Sequence, residues 1–182
     1  MRVAVFLGSS AGVRPGFAAA AAETGKLFAR AGLGIVYGGS GSGLMGVLAD
    51  AALAEGGEVI GVVPGGLFGP EAAHHQSLSR LEVVATMHER KSRMAELADA
   101  FAALPGGLGT LDELVEILTW QHLGLHGKPV ALLDVDGFWG GFLAFVDGLV
   151  GHGFVPAASR ARLALAESPA DLVRTLLNIS AP

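Results

Sequence analysis

Short runs of consecutive apolar residues, most of them closed by glycine or proline, alternate along the chain with longer stretches in which apolar positions recur at helical spacing. The runs at 2–7, 34–37, 59–63, 100–104, 130–133 and 163–166 predict strands, and 81–85 a further short one. None of the longer runs alternates polar with apolar positions, as expected for strands covered by helices on both faces. Helices are expected over 15–31, 44–55, 87–98, 110–122, 138–151 and 170–177, with Pro15 in the first turn, where a helix tolerates proline. This alternation predicts an α/β fold, a Rossmann-like doubly wound and mainly parallel sheet with helices on both faces. No repeat, linker or low-complexity stretch interrupts it, so residues 1–182 are expected to form a single domain. In such sheets ligands bind beyond the carboxyl ends of the strands, where strand order reverses, and glycine-rich turns that follow strands fall on that edge.

Composition narrows the partners. With 182 residues, 51% hydrophobic and 16% charged, the chain can bury one sizeable core. A net charge of −5, with Lys and Arg scattered, leaves no basic stripe to neutralise a phosphate backbone, so no nucleic-acid partner is expected. The lack of cysteine excludes disulfides, thiolate metal sites and thiol nucleophiles, and agrees with a cytoplasmic location. The first apolar run is too short for a signal peptide and ends in Gly8-Ser9-Ser10 rather than a cleavage pattern. No stretch approaches the roughly 18 apolar residues of a membrane span, so no membrane partner is expected. His122 and His126 stand four apart, but Gly124 between them predicts a helix end, and no metal site is expected. His74, His75 and His88 read as polar surface residues.

Two glycine loops carry the candidate chemistry. In Gly38-Gly39-Ser40-Gly41-Ser42-Gly43-Leu44-Met45-Gly46, residues Gly41, Gly43 and Gly46 satisfy G-x-G-x-x-G. Glycines let backbone approach an anion, and the following helix offers unpaired N–H groups and partial positive charge. A dinucleotide site would also need an acidic residue at the end of the next strand, but that strand ends Val62-Val63-Pro64 and Glu58 lies at its beginning, which argues against NAD. The glycines could equally make only a tight strand-to-helix turn. The second loop, Pro105-Gly106-Gly107-Leu108-Gly109-Thr110, follows the run Phe101-Ala102-Ala103-Leu104 and opens a helix. Thr110 and Glu113 spell Thr-x-x-Glu, a capping box, and spacing alone favours that reading of Glu113 over a catalytic carboxylate. Arg90, by spacing alone, reads as a solvated helix charge.

Both loops, taken with Thr86-Met87-His88-Glu89-Arg90-Lys91-Ser92-Arg93-Met94, resemble the Lonely Guy (LOG) family, whose signatures P-G-G-x-G-T-x-x-E and M-x-x-R-K are matched completely. The similarity runs from Gly8-Ser9-Ser10 through Tyr37-Gly38-Gly39 and Gly43-Leu44-Met45-Gly46 to Leu118-Thr119-Trp120 and Lys128-Pro129-Val130. The resemblance implies hydrolysis of the N-glycosidic bond of nucleoside 5′-monophosphates, cytokinin ribotides and AMP among them, to free base and ribose 5-phosphate, with no cofactor. It implies Arg90 and Glu113 as the essential pair. Lys91, Gly106, Gly107, Leu108, Gly109, Thr110, Leu111, Asp112 and Thr119 match its substrate contacts, and Glu71 matches a further one if 69–75 takes a small insertion. Gly39 and Gly43 in the first loop and Met87 in the pocket wall complete the expected substrate-binding set. Family members are often labelled lysine decarboxylases, yet a pyridoxal-phosphate enzyme needs a Schiff-base lysine, and only Lys26, Lys91 and Lys128 exist. Of these Lys91 alone is plausible, since Lys128 falls on the opposite edge of the sheet. A nucleotide-binding module without catalysis is the remaining alternative.

Cleavage at C1′ develops positive charge on the ribose, which a carboxylate can stabilise or answer by activating water. Glu113, expected in a first helical turn, would be favoured in its ionised form by the helix dipole and serve as base. Arg90 is always protonated, so it positions and neutralises and does not donate a proton. Asp112 should leave the helix on another side from Glu113. The family resemblance implies a dimer, and the apolar stretches around 138–146 and 118–125 exceed what one buried helix face needs.

Overall fold

The apolar runs do become strands, and the chain order is β1 (Arg2–Phe6), α1 (Pro15–Arg30), β2 (Gly34–Tyr37), α2 (Gly43–Ala54), β3 (Val59–Pro64), β4 (Arg80–Val84), α3 (Met87–Leu97), β5 (Ala100–Ala103), α4 (Leu108–His122), β6 (Val130–Leu133), α5 (Gly140–Gly151), α6 (Ala157–Ala161), β7 (Leu163–Ala166) and α7 (Pro169–Ile179). The computed structural model describes residues 1–65, 75 and 77–179. Its sheet has seven strands in the order β4-β3-β2-β1-β5-β6-β7, and every neighbouring pair is parallel. The chain builds outward from β1 to β4, then returns to the other side of β1 to lay down β5. Strand order therefore reverses between β1 and β5, which defines the crevice where such sheets hold ligands.

Side chains of each strand alternate between two separate cores. Val3, Val5, Ile35, Tyr37, Ala102 and Leu133 point to one, where Phe17 and Phe28 of α1, Leu44 and Leu48 of α2 and Leu172 of α7 cover them. Ala4, Phe6, Val36, Ile60, Val62, Phe101 and Leu132 point to the other, under Met94 of α3, Leu114 and Ile117 of α4 and Trp139. Burial on both faces explains the near-continuous apolar runs. On the first face α1 and α2 approach closely, since a Cβ on Gly25 would stand 3.1 Å from the Ala52 nitrogen and nearer still to the Leu48 carbonyl.

Three differences from expectation have local causes. Helix α4 starts at Leu108 instead of residue 110, with Gly107 as N-cap, because a glycine there leaves the turn free to begin early. Helix α5 starts at Gly140 instead of residue 138, because the Trp139 N–H is taken by the Asp134 carboxylate at 2.9 Å in a turn that closes β6. The short α6 was not expected; its five residues after Pro156 are too few to show a helical period.

Candidate active site

Pairing of β1 with β5 runs past the strand ends: Leu104 donates to the Phe6 carbonyl at 2.9 Å and Gly8 to the Pro105 carbonyl at 3.1 Å. The loop after β1 is thereby laid against the loop after β5. Contact is close enough that a Cβ on Gly106 would stand 2.9 Å from the Gly8 nitrogen and would collide with the Thr110 hydroxyl oxygen. Gly106 is thus required by packing. Gly107 and Gly109 differ, since a Cβ on either would meet nothing within 4 Å. The start of α4 carries no side-chain cap, so no side chain of the helix start takes its first N–H groups.

The first glycine loop is held by protein contacts. Gly43 has φ +60, and a Cβ there would run into the Ser9 backbone. The Met45 N–H donates to the Gly8 carbonyl at 3.3 Å. Ser42 Oγ reaches the Ser9 carbonyl at 3.4 Å, and its other neighbour is Ser40 Oγ at 2.9 Å. Neither helix start has a side-chain cap, but the α2 start ties the β1 and β2 loops together, whereas Gly107 and Gly109 at the α4 start have no protein atom within reach of a Cβ. Gly39, at φ +77, packs against Val63.

Arg90 enters from α3, whose N-cap is Thr86. Thr86 Oγ1 accepts from the Glu89 N–H at 3.1 Å while Glu89 Oε2 accepts from the Ala85 N–H at 2.9 Å. The Thr-x-x-Glu cap of this site is therefore at 86–89, and the expected one at Thr110 and Glu113 does not form. Arg90 and Met94, four apart, face the sheet. The Arg90 Nε donates to the Val62 carbonyl in the second half of β3, 3.0 Å away, and Nη1 to Glu113 Oε1 at 2.7 Å. Beneath the guanidinium lies Gly38, where a Cβ would collide with Nη2. The two charged side chains are only 8% and 6% exposed, so neither is a solvated surface charge.

Glu113 stands in the second turn of α4, not the first, because the helix begins at Leu108. The helix dipole, which acts within the first turn, no longer dominates its ionisation. Burial does: it pushes the Glu113 carboxyl above the ordinary glutamate range, with Asp112 adding to the push and Arg90 and Lys91 opposing it. A carboxylate of this kind, paired yet raised, is suited to accept a proton and hold it.

Helix α4 divides the remaining expected residues between its faces. Thr110, Glu113, Leu114, Ile117 and Gln121 are buried against the sheet. Leu108 is 85% exposed, and it lines an open groove of about 560 Å³ together with Leu111, Asp112, Val115 and Thr119. Thr119 turns its hydroxyl back to the Val115 carbonyl at 2.7 Å. Asp112 leaves the helix away from Glu113, as expected, and meets Lys91 of α3: the amine lies 3.1 Å from Asp112 Oδ2 and 3.1 Å from Glu116 Oε2. Glu116 was missed at the sequence level, although its four-residue spacing from Asp112 places both on one face. Met87 is the first residue of α3 and half-buried. Glu71 lies outside the described residues, as does His74. His122 bonds Ser159 Oγ and His126 bonds the Ile117 carbonyl, so the two do not converge. Among the described residues no group of acidic and histidine side chains could hold a metal. No helix among them is long and apolar enough to cross a membrane.

A Schiff-base lysine does not fit this arrangement. Burial works against the charged Lys91 amine, but its two carboxylate partners outweigh it and raise the amine above the ordinary lysine range, the reverse of what a nucleophile needs. Lys128 Nζ caps the end of α3 at the Ala95 carbonyl, 2.7 Å away, beside the start of β6 on the far edge of the sheet. Lys26 lies within α1.

A parallel sheet whose strand order reverses over a buried arginine–glutamate pair, beside an uncapped glycine-lined helix start, defines a Rossmann-like α/β protein with a polar centre at its topological switch point. Residues 45–176 match the family described as "Possible lysine decarboxylase". A probable cytokinin riboside 5′-monophosphate phosphoribohydrolase of Oryza sativa subsp. japonica is 45% identical over 179 residues, 98% of this chain and 77% of that protein. An Arabidopsis thaliana cytokinin riboside 5′-monophosphate phosphoribohydrolase is 43% identical over 175 residues, covering 96% and 80%. One from Rhodococcoides fascians is 48% identical over 162 residues, covering 88% and 81%. The chain belongs to this family, the LOG family. Among solved structures, a molybdenum cofactor binding protein from Rippkaea orientalis superposes with TM-score 0.75 at 22% identity, covering 99% of this chain and 97% of that one, a likeness that shows the fold alone.

Proposed function

We propose that the protein is a hydrolase of N-glycosyl bonds that cleaves nucleoside 5′-monophosphates, cytokinin ribotides and AMP among them, to free base and ribose 5-phosphate. The observation that carries this reading is the buried Arg90–Glu113 pair, 2.7 Å apart, at the mouth of the crevice beside the open start of α4. The 5′-phosphate rests against the N–H groups of Gly107, Leu108, Gly109 and Thr110, where the helix dipole favours an anion. As the bond from C1′ to the base breaks, positive charge grows on the ribose. Glu113 stabilises that charge and takes a proton from the attacking water, whose oxygen forms the new bond to C1′, while the base leaves with the bonding electron pair and takes its proton from solvent. Its raised proton affinity supports this role. Arg90, anchored on the Val62 carbonyl, holds the carboxylate and orients substrate hydroxyls. Lys91, Asp112, Leu111 and Thr119 bound the substrate from the outer side of α4, and Met87 and Glu71 complete the set, with Gly39 and Gly43 shaping the adjoining loop.

The working unit is a homodimer or higher homo-oligomer. This is supported by α5, which buries none of its residues in the single chain, and by Leu123, Leu125, Phe145 and Phe154, which are 64%, 69%, 65% and 79% exposed. A cytoplasmic setting is supported by the cysteine-free sequence.

The test is chromatography after incubating the protein with AMP and with isopentenyladenosine monophosphate. Free base and ribose 5-phosphate are expected from at least one. Intact nucleotide in both defeats the reading, and tight AMP binding without base release would identify a binding module instead.

A further inference from the structure

His75 was expected to be a surface histidine, but its side chain is 9% exposed and held at both ring nitrogens. Nδ1 accepts from the Ser77 N–H at 3.2 Å, which leaves the ring proton on Nε2, and Nε2 donates to Asp50 Oδ1 on α2 at 2.8 Å. With the ring fixed, the backbone N–H of residue 75 donates to the Gly39 carbonyl at 2.9 Å. Gly39 is the turn residue at φ +77, packed on Val63, and its neighbour Gly38 is the surface on which the Arg90 guanidinium lies. Arg90 in turn bonds the Val62 carbonyl and Glu113. A continuous set of contacts thus runs from Asp50 on the outside of α2, through His75, to the floor beneath the buried pair.

We propose that the His75–Asp50 pair is a positioning device for the Arg90–Glu113 centre, clamping the Gly38-Gly39 turn so that the guanidinium keeps its place against the carboxylate. The pair touches no reacting atom. Neither residue belongs to the matched motifs. It acts on the chemical step, because the phosphate seat at the start of α4 is built from the loop after β5. The inference rests on the proposed hydrolysis for its kinetic part only.

Asp50 is 74% exposed, so Asp50→Ala can be made with little risk to folding. It is expected to lower kcat about tenfold or more, since small misplacement near a reacting centre is costly, and to leave KM within about twofold. His75→Ala should do the same, and the double variant should be no worse than either single one. Asp50→Asn keeps an acceptor for Nε2 and should restore wild-type kcat. A wild-type kcat in Asp50→Ala, or a loss confined to KM, overturns the proposal. A second readout is independent of turnover: the Arg90 Nε–H signal in an arginine side-chain nitrogen NMR spectrum, assigned with Arg90→Lys. That signal should be slow to exchange in the wild type and in Asp50→Asn, and shifted and fast-exchanging in Asp50→Ala. An unchanged signal overturns the positioning role even if the wild type releases no base from any nucleotide, so failure of the device and failure of the activity are told apart.

Discussion

Glu113 and Arg90 owe their properties to where two backbones end. Arg90 Nε is satisfied by the Val62 carbonyl of β3, and Nη1 by Glu113, so the guanidinium is oriented before any substrate arrives. Glu113→Gln keeps a carbonyl oxygen for Nη1 but cannot accept a proton. It is expected to cut kcat by about 10² to 10⁴-fold, the range for a lost acid–base group, with the fold retained. Thr86→Ala gives the contrast, costing about 1 kcal/mol through the lost cap of α3 with kcat near wild type. Urea melts and initial rates on both variants check the pair of outcomes. Because burial raises the Glu113 carboxyl, the acid limb of kcat/KM in the wild type should lie above the ordinary glutamate value of about 4.3, with activity growing as the pH rises through it. A limb at or below that value would remove the base role.

At the scale of elements, the strands and most helices were legible because a sheet buried on both faces leaves nearly uninterrupted apolar runs, and the two glycine loops marked its carboxyl edge. Legibility failed where one spacing served two purposes. Thr-x-x-Glu occurs at both 86–89 and 110–113, yet it caps only the first, since Gly107 lets α4 begin at Leu108, two residues before Thr110. Nor does spacing reveal that Val62 and Gly38 would form the seat of Arg90, a long-range contact fixed by the order of strands. The second loop contains glycines of two kinds. Gly106→Ala is expected to displace Thr110 and the Gly8 loop and to destabilise by about 1–3 kcal/mol, as overpacking does. Gly107→Ala meets no protein atom, so stability should stay near wild type while KM for the nucleotide rises, because the methyl enters the space assigned to phosphate. Melting curves and KM values for the two variants separate structural glycine from binding glycine. His126 joins three elements further along: it bonds the Ile117 carbonyl of α4, accepts from the Lys128 N–H ahead of β6 and lies 5.1 Å from the Phe101 ring of β5. Burial lowers its proton affinity, so the unfolded chain binds the proton more readily than the folded one. Stability is then full above the unfolded histidine value of about 6.5 and declines as pH falls below it. Urea midpoints at pH 7.5 and 5.5 should differ in the wild type and differ less in His126→Asn, which retains an acceptor for the Lys128 N–H.

For the molecule as a whole, apolar surface is distributed unevenly. One side of the sheet is closed by α1, α2 and α7, whereas the other ends in the outer groove of α4 and in α5, a helix with none of its residues buried. Exposed Leu123 and Leu125 follow α4 and exposed Phe145 and Phe154 lie within and after α5, and exposed apolar area of this kind marks a surface built to be covered. A second copy is the occupant consistent with a chain that is expected to work on small nucleotides and not on macromolecules. Light scattering at micromolar concentration should give twice the chain mass or a larger multiple. Phe145→Glu together with Leu125→Glu should shift the particle toward the single-chain mass, because burying two carboxylates between copies is unfavourable without partners. Since both positions are open to solvent in the single chain, the double variant should still fold, and circular dichroism will report that independently. The rate then says what assembly is for. If kcat falls with the mass while the spectrum is unchanged, the groove residues Leu108, Asp112 and Thr119 act in a site that needs the neighbouring copy. If the monomer turns over at the wild-type rate, the inner face of α4 suffices, and assembly serves only to cover apolar surface.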